Sequence, residues 1–286
     1  MIRMILISLR PRQWTKNLVV FAGIIFSGNI FNWPMQFKVW LTFIAFCAVV
    51  GAGYLVNDVI DRDKDRVHPV KRTRPIASGR LGAGTALAVA LFLVAVFIGG
   101  GLLVDPLLSA YLAAYLVLQL AYSLALKRLV IVDVLAISAG FVIRAVAGAA
   151  VIHVIISPWL VVCAMLLALF LALAKRRAEL VMMEEEAAYH RSNLEQYSIE
   201  LVDQMTVVTA AATVVSYALY SFTAFDSSAM MITIPFVLYG IFRYLYLVHR
   251  HLRGGSPEQV LISDIPMLVD VVLWVVTAVA VLRWTG

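Results

Sequence analysis

Charge is what this chain has least of. Asp, Glu, Lys and Arg together make up 14% of its 286 residues, while 63% are hydrophobic. A soluble domain is usually about 45–50% apolar. One water-soluble core cannot hide this much apolar surface, so a single soluble domain is excluded. Cysteine is also scarce: Cys47 and Cys163 both fall inside apolar runs, which excludes a disulfide framework and a thiolate metal site. The five His residues are scattered without ligand spacing. There is no nucleophile elbow, no phosphate-binding loop of the Walker type and no dinucleotide glycine motif. Low-complexity stretches, linkers and usable repeats are missing too. No apolar run alternates with period two, which argues against a transmembrane barrel.

What is present is a series of long apolar runs. A membrane-spanning helix needs about 20 mostly apolar residues. Nine stretches qualify, near 17–33, 38–58, 83–104, 106–125, 129–151, 157–178, 201–224, 229–248 and 265–284. The expectation is an all-α polytopic membrane protein, with residues 1–286 forming one transmembrane domain. Residues 1–16 read as an interfacial N-terminal segment, its first dozen an amphipathic helix. No small-residue cleavage site follows, and Trp33-Pro34 comes instead, so the next run reads as a retained span. Placing the N-terminus in the cytoplasm puts 20 of the 23 Lys and Arg on that side. The positive charge therefore reports topology and requires no nucleic acid. Cap loops are expected on the same side at 59–82, 182–200 and 250–264.

Three charged clusters share that side. The first is "YLVNDVIDRDKDRVHPVKRTRPIASGRL", residues 54–81. Asn57 and Asp58 continue an apolar helix without a break, where ionisable groups are costly and usually functional. Asn57, Asp61 and Asp65 are spaced i, i+4, i+8, which predicts one helix face, with Asp58 beside it. Clustered oxygen ligands of this kind point to Mg²⁺, which takes a few carboxylates plus substrate phosphates. Lys71, Arg72 and Arg74 are then candidates for the remaining phosphate oxygens, Arg being suited to bidentate contact. The bland alternative is a solvated loop with positive-inside anchors.

The second cluster, residues 121–133, carries Tyr122, Lys127, Arg128 and Asp133 around a turn. Arg144 lies eleven residues further on, inside a span, and must face a partner there. The third, "LALAKRRAEL", brings Lys175, Arg176, Arg177 and Glu179 to the end of a span. Lys175 and Glu179 share a helix face, an arrangement that a favourable dipole and ion pair would also explain.

"YLVNDVIDRDKD" followed by "KRTRPIASGRL" resembles the first aspartate-rich motif of the UbiA superfamily of intramembrane prenyltransferases. Within it, "RPRQWTKN" at 10–17, "HPVKRTRPIASG" at 68–79, "AYSLALK" at 121–127, "IRAVAG" at 143–148, "SPW" at 157–159 and "AKRRAEL" at 174–180 look most like the polyprenyl-phosphate phosphoribosyltransferase branch. The resemblance covers most of the first 180 residues and fades into hydrophobic pattern beyond them. It implies nine helices with the site at the cytoplasmic end, in the plasma (inner) membrane of a bacterium. It implies Mg²⁺-dependent transfer of 5-phosphoribose from phosphoribosyl diphosphate to a polyprenyl phosphate, releasing pyrophosphate, toward lipid-linked arabinose for envelope glycans. A homo-oligomer is allowed for. Asp58, Asp61 and Lys127 are the expected catalytic residues, and Asn57, Asp58, Asp61 and Asp65 the expected metal ligands. Lys16, Asn17, Lys71, Arg72, Arg74, Tyr122, Lys127, Arg128, Asp133, Arg144, Lys175, Arg176, Arg177 and Glu179 are the expected substrate-binding set.

The chain departs from the superfamily where a second Asp-x-x-x-Asp pair normally stands. Here that place reads Lys175 to Glu179 with two arginines between. Phosphoribosyl diphosphate and a lipid phosphate bring more anionic charge than one prenyl diphosphate, so exchanging acids for bases moves the site's charge in the matching direction. The rivals are an ordinary prenyltransferase with an aromatic acceptor, and a cation-coupled transporter. The second is disfavoured because nearly all charge sits at one end instead of mid-membrane.

Overall fold

The structure, a computed structural model, describes residues 1–185, 196–225, 227–251, 260 and 263–285. The described residues are almost entirely helical. In chain order the α-helices are α1 (Ile2–Ser8), α2 (Ala22–Phe26), α3 (Trp33–Ile60), α4 (Arg62–Val67), α5 (Ala83–Val104), α6 (Pro106–Leu124), α7 (Val132–Ala150), α8 (Pro158–Glu185), α9 (Ile199–Thr223), α10 (Ile234–His251) and α11 (Ile265–Thr285). A 3₁₀ helix, Pro11–Phe21, precedes α2. Local chemistry sets the helix starts. Asn32 accepts the Met35 N–H at 3.2 Å with Pro34 in the first turn of α3. Asp105 accepts the Leu107 N–H at 2.8 Å ahead of Pro106, and Ser198 accepts the Leu201 N–H at 3.1 Å. Each side chain satisfies an amide that has no partner within its helix.

Consecutive long helices pack side by side from α3 through α11, and α11 returns to α2. The 3₁₀ helix lies against α3 and α7. Among the described residues, eight helices are long and apolar enough to cross a membrane. The ninth expected span, 17–33, is not one α-helix. It divides into the 3₁₀ helix Pro11–Phe21, the five-residue α2 and a turn before α3.

Small residues explain how so irregular a segment packs. A Cβ at Gly148 of α7 would overlap the Val20 carbonyl, and one at Gly23 would fall 2.7 Å from the Ala149 Cα. Arg144, one turn before Gly148, donates to the Lys16 carbonyl at 3.2 Å and to the Tyr115 hydroxyl at 3.0 Å. Its guanidinium sits over the Tyr115 and Phe141 rings, 4.9 and 4.6 Å from their centroids. An arginine inside a span is thus held by a backbone carbonyl, a phenol and two ring faces. Gly148→Ala should force two backbones apart and destabilise the fold by about 1–3 kcal/mol. A melting temperature in detergent equal to that of the wild type would refute the close approach.

α8 is longer than the expected 157–178 span, running on to Glu185, so Lys175 to Glu179 lie within the helix and not at its end. At 1.5 Å per residue, Arg176 stands about 27 Å along α8 from Pro158, near the edge of a hydrocarbon core about 30 Å thick. α3, with 28 residues, also exceeds that thickness and carries Asn57 and Asp58 in its last turn. Of the expected cap loops, 59–82 is described. Residues 186–195 of 182–200, and 252–259 with 261–262 of 250–264, lie outside the described residues.

Candidate active site

One end of the bundle gathers the charged residues. The aspartate-rich run does not form the continuous helix face that its spacing predicts. α3 stops at Ile60, Asp61 takes a non-helical conformation at the junction, and α4 restarts at Arg62. The i, i+4, i+8 set therefore divides. Asn57 donates its amide to the Asp61 Oδ2 at 3.2 Å, and the Lys127 Nζ lies 3.5 Å from the same oxygen. Asp58 and Asp65, both buried, are joined through Arg74, whose Nη1 stands 3.1 Å from one and 2.7 Å from the other. Arg10 reaches the same Asp58 Oδ1 at 2.6 Å and lies over the Tyr54 ring.

Arg74 is positioned by the apolar half of its loop. Ile76 and Leu81 are buried among Ala52, Leu55, Ala86 and Ala90 of α3 and α5. Gly79 allows the loop to turn with φ +77°, a conformation that costs other residues more. The segment is thus a plugged loop carrying charges, unlike a solvated run. His68 begins it, its Nδ1 accepting the Val70 and Lys71 N–H groups at 3.2 and 3.3 Å. Burial, and then the Lys71 charge, hold this imidazole below its usual pKa, which keeps Nδ1 an acceptor. Arg72 and Arg128 are exposed at the rim.

A second network is centred on the buried Asp133 and Arg176. The Arg176 Nε donates to the Asp133 Oδ2 at 2.8 Å, its Nη1 pairs with Glu179, and its Nη2 is 3.4 Å from the Tyr122 hydroxyl. Asp133 is 0% exposed and Arg176 1%. A charge pair so buried survives only when its remaining donors and acceptors are also satisfied. The guanidinium is committed to three neighbours, so Arg176 ties α8 to the end of α6 and the start of α7 instead of facing an open cleft. Lys175, half-exposed, stands 4.0 Å from the Glu179 carboxylate.

Other expected site residues lie elsewhere. Arg177 turns to the seam with α9 and pairs with Asp203 at 2.7 Å. Asn17 is buried against Cys47, its amide 3.2 Å from the sulfur. Lys16 gives its carbonyl to Arg144, which is eleven residues, about 16 Å, down α7 from Asp133. Asn17, Arg144 and the Lys16 backbone therefore meet deeper in the bundle, while the Lys16 Nζ turns back to the Gln13 side chain.

Two participants escape sequence reasoning. Arg10 stands ahead of Pro11 with φ 53°, an uncommon conformation for a residue other than glycine. Its only signal is its place in "RPRQWTKN". Tyr197 carries no local signal at all, because its partners are more than sixty residues away.

Among the described residues, no three His, Cys, Asp or Glu side chains converge into a ready metal cage. The donor chemistry still fits Mg²⁺. The set is all oxygen, with Asn57 and Asp61 adjacent, and Mg²⁺ usually takes one or two carboxylates together with waters and phosphates. Of the four expected ligands, Asn57 and Asp61 lie side by side, while Asp58 and Asp65 pair with arginines in this structure.

Comparison with known proteins follows the same outline. The family model described as the UbiA prenyltransferase family matches residues 17–260. Decaprenyl-phosphate phosphoribosyltransferase of Corynebacterium glutamicum is 36% identical over 278 residues, covering 94% of this chain and 83% of that protein. The protein of the same name from Mycobacterium tuberculosis is 33% identical over 277 residues, covering 94% and 91%. In fold, the chain is similar to a UbiA homolog from Archaeoglobus fulgidus solved with GPP and Mg²⁺, with TM-score 0.74 at 16% identity over 98% of this chain and 99% of that one.

Proposed function

Because the chain belongs to the UbiA prenyltransferase family, we propose that it transfers 5-phosphoribose from phosphoribosyl diphosphate to a polyprenyl phosphate. The relatives bearing that activity in their names are alike to this chain over 94% of its length. The observation that carries the reading is the basic stretch Lys175 to Arg177 within α8. Lys175 and Arg176 stand where prenyl-diphosphate enzymes of the superfamily carry a second acidic pair, and Arg176 is built into the site's buried network.

In this reading the protein is a single domain in a bacterial inner membrane, N-terminus and site facing the cytoplasm. Residues 11–26 supply a ninth crossing: eleven residues at about 2.0 Å and five at about 1.5 Å reach about 30 Å. Asn57 and Asp61 would hold Mg²⁺, which neutralises charge on the departing diphosphate. Lys127, beside Asp61, faces the same oxygens. Arg74 and Lys71 bring further positive charge from the plugged loop. The acceptor phosphate oxygen attacks ribose C1 as the C1–O bond to diphosphate breaks, and pyrophosphate leaves with the bonding electrons. That oxygen is already anionic, so no strong base is required. The protein contributes positioning and fixed charge.

The test supplies phosphoribosyl diphosphate labelled in the ribose, Mg²⁺ and a polyprenyl phosphate to the purified protein. Label should enter the lipid phase only when Mg²⁺ is present. Transfer from a prenyl diphosphate to an aromatic acid, with no ribose label in lipid, would assign the chain to ordinary prenyl transfer.

A further inference from the structure

Tyr197 lies just ahead of α9 and is buried. Its hydroxyl accepts the Ile131 N–H at 2.6 Å and donates to the Asp133 Oδ1 at 2.9 Å. A phenol can accept and donate at once; a phenyl ring can do neither. Burial pushes the hydroxyl's pKa up to about 12, so it keeps its proton at physiological pH.

The Ile131 backbone makes this contact informative. Its φ and ψ are 67° and −44°, and the Val132 N–H bonds to the Val130 carbonyl at 2.8 Å. This is the rarer, strained form of γ-turn, here on a β-branched residue for which positive φ is a genuine outlier. Such strain persists only where the surroundings impose it, and gathers at functional sites. The turn joins the 3₁₀ segment Leu126–Arg128 to α7. It therefore decides where Lys127 stands, and Lys127 is the cation 3.5 Å from Asp61.

Resting on the reading that Lys127 and Asp61 meet a Mg²⁺-bound diphosphate, we propose that Tyr197 is a positioning residue: its hydroxyl holds the strained Ile131 turn, and the turn holds Lys127 on the diphosphate. Through Asp133 the same hydroxyl ties this turn to Arg176, so the start of α9, the end of α6 and this part of α8 are set together.

The test measures calorimetric binding of inorganic pyrophosphate with Mg²⁺ to the purified full-length protein, which does not depend on ribose transfer. Tyr197→Phe should weaken binding at least five-fold. Adding Ile131→Gly should bring it back within two-fold of wild type, because glycine takes φ near +67° at little cost. A merely structural role for Tyr197 would not be rescued by a glycine elsewhere. Unchanged affinity in Y197F, or a loss that the double variant does not recover, overturns the proposal. If Y197F alone does not fold, the double variant carries the test and must bind within two-fold of wild type. Weakening and rescue in a protein that transfers no ribose would keep the latch and discard the phosphoribosyl reading. Ribose transfer with unaltered pyrophosphate binding in Y197F would do the reverse.

Discussion

Asp61→Ala is expected to lower phosphoribosyl transfer about 10³-fold, equivalent to roughly 4 kcal/mol of transition-state stabilisation. The reason is the position of Asp61 at the break between α3 and α4, where it alone of the three aspartates at 58, 61 and 65 is not paired with an arginine. Its carboxylate is shared by the Asn57 amide and Lys127. Removing it takes away the oxygen donor best placed for Mg²⁺ and leaves Lys127 without its counter-charge. Asp61 is partly exposed and packs little, so the melting temperature should stay within a few degrees of wild type. The decisive comparison is the initial rate of ribose-label transfer at saturating Mg²⁺ in both proteins. A rate within ten-fold of wild type would mean that the metal site lies elsewhere.

The largest stability effect is expected from Arg176→Met. Arg176 supports Asp133, Glu179 and Tyr122 from a position with almost no solvent contact. Methionine fills much of the volume but leaves the buried Asp133 carboxylate without its arginine. Breaking one side of a buried pair typically costs about 3–5 kcal/mol. The variant should melt well below the wild type. Replacing both partners, Arg176→Met with Asp133→Leu, should recover most of that stability, since an apolar pair of similar volume is often as stable as the ions it replaces. It should not recover transfer, because the end of α6 and the start of α7 would no longer be set against α8 by the network. Thermal unfolding in detergent, followed with the label assay, separates the two effects. A single variant as stable as wild type would show that the pair contributes nothing net. A double variant with full activity would show that the network is dispensable for the reaction.

The sequence by itself determined the class of the protein. Apolar runs of about 20 residues have one physical solution in lipid, a helix with its backbone bonds satisfied internally, and length alone marks them. The charged clusters were legible for the same reason: in so apolar a chain, Asp58, Lys127 or Arg176 stands out. Spacing then suggested a helix face for Asn57, Asp61 and Asp65, and it failed at Asp61. Periodicity assumes that a helix continues, whereas the chain breaks at Asp61 and the Arg74 loop plugs into α3 and α5. The 3₁₀ geometry of Pro11–Phe21 was hidden too, because it depends on Gly148 and Arg144 more than a hundred residues away. Which cation meets which carboxylate was decided only by tertiary structure. Ion pairs such as Arg10 with Asp58, Arg74 with Asp65 and Arg176 with Asp133 are chosen by where loops and helix ends come to rest, and residue type says only that some partner must exist.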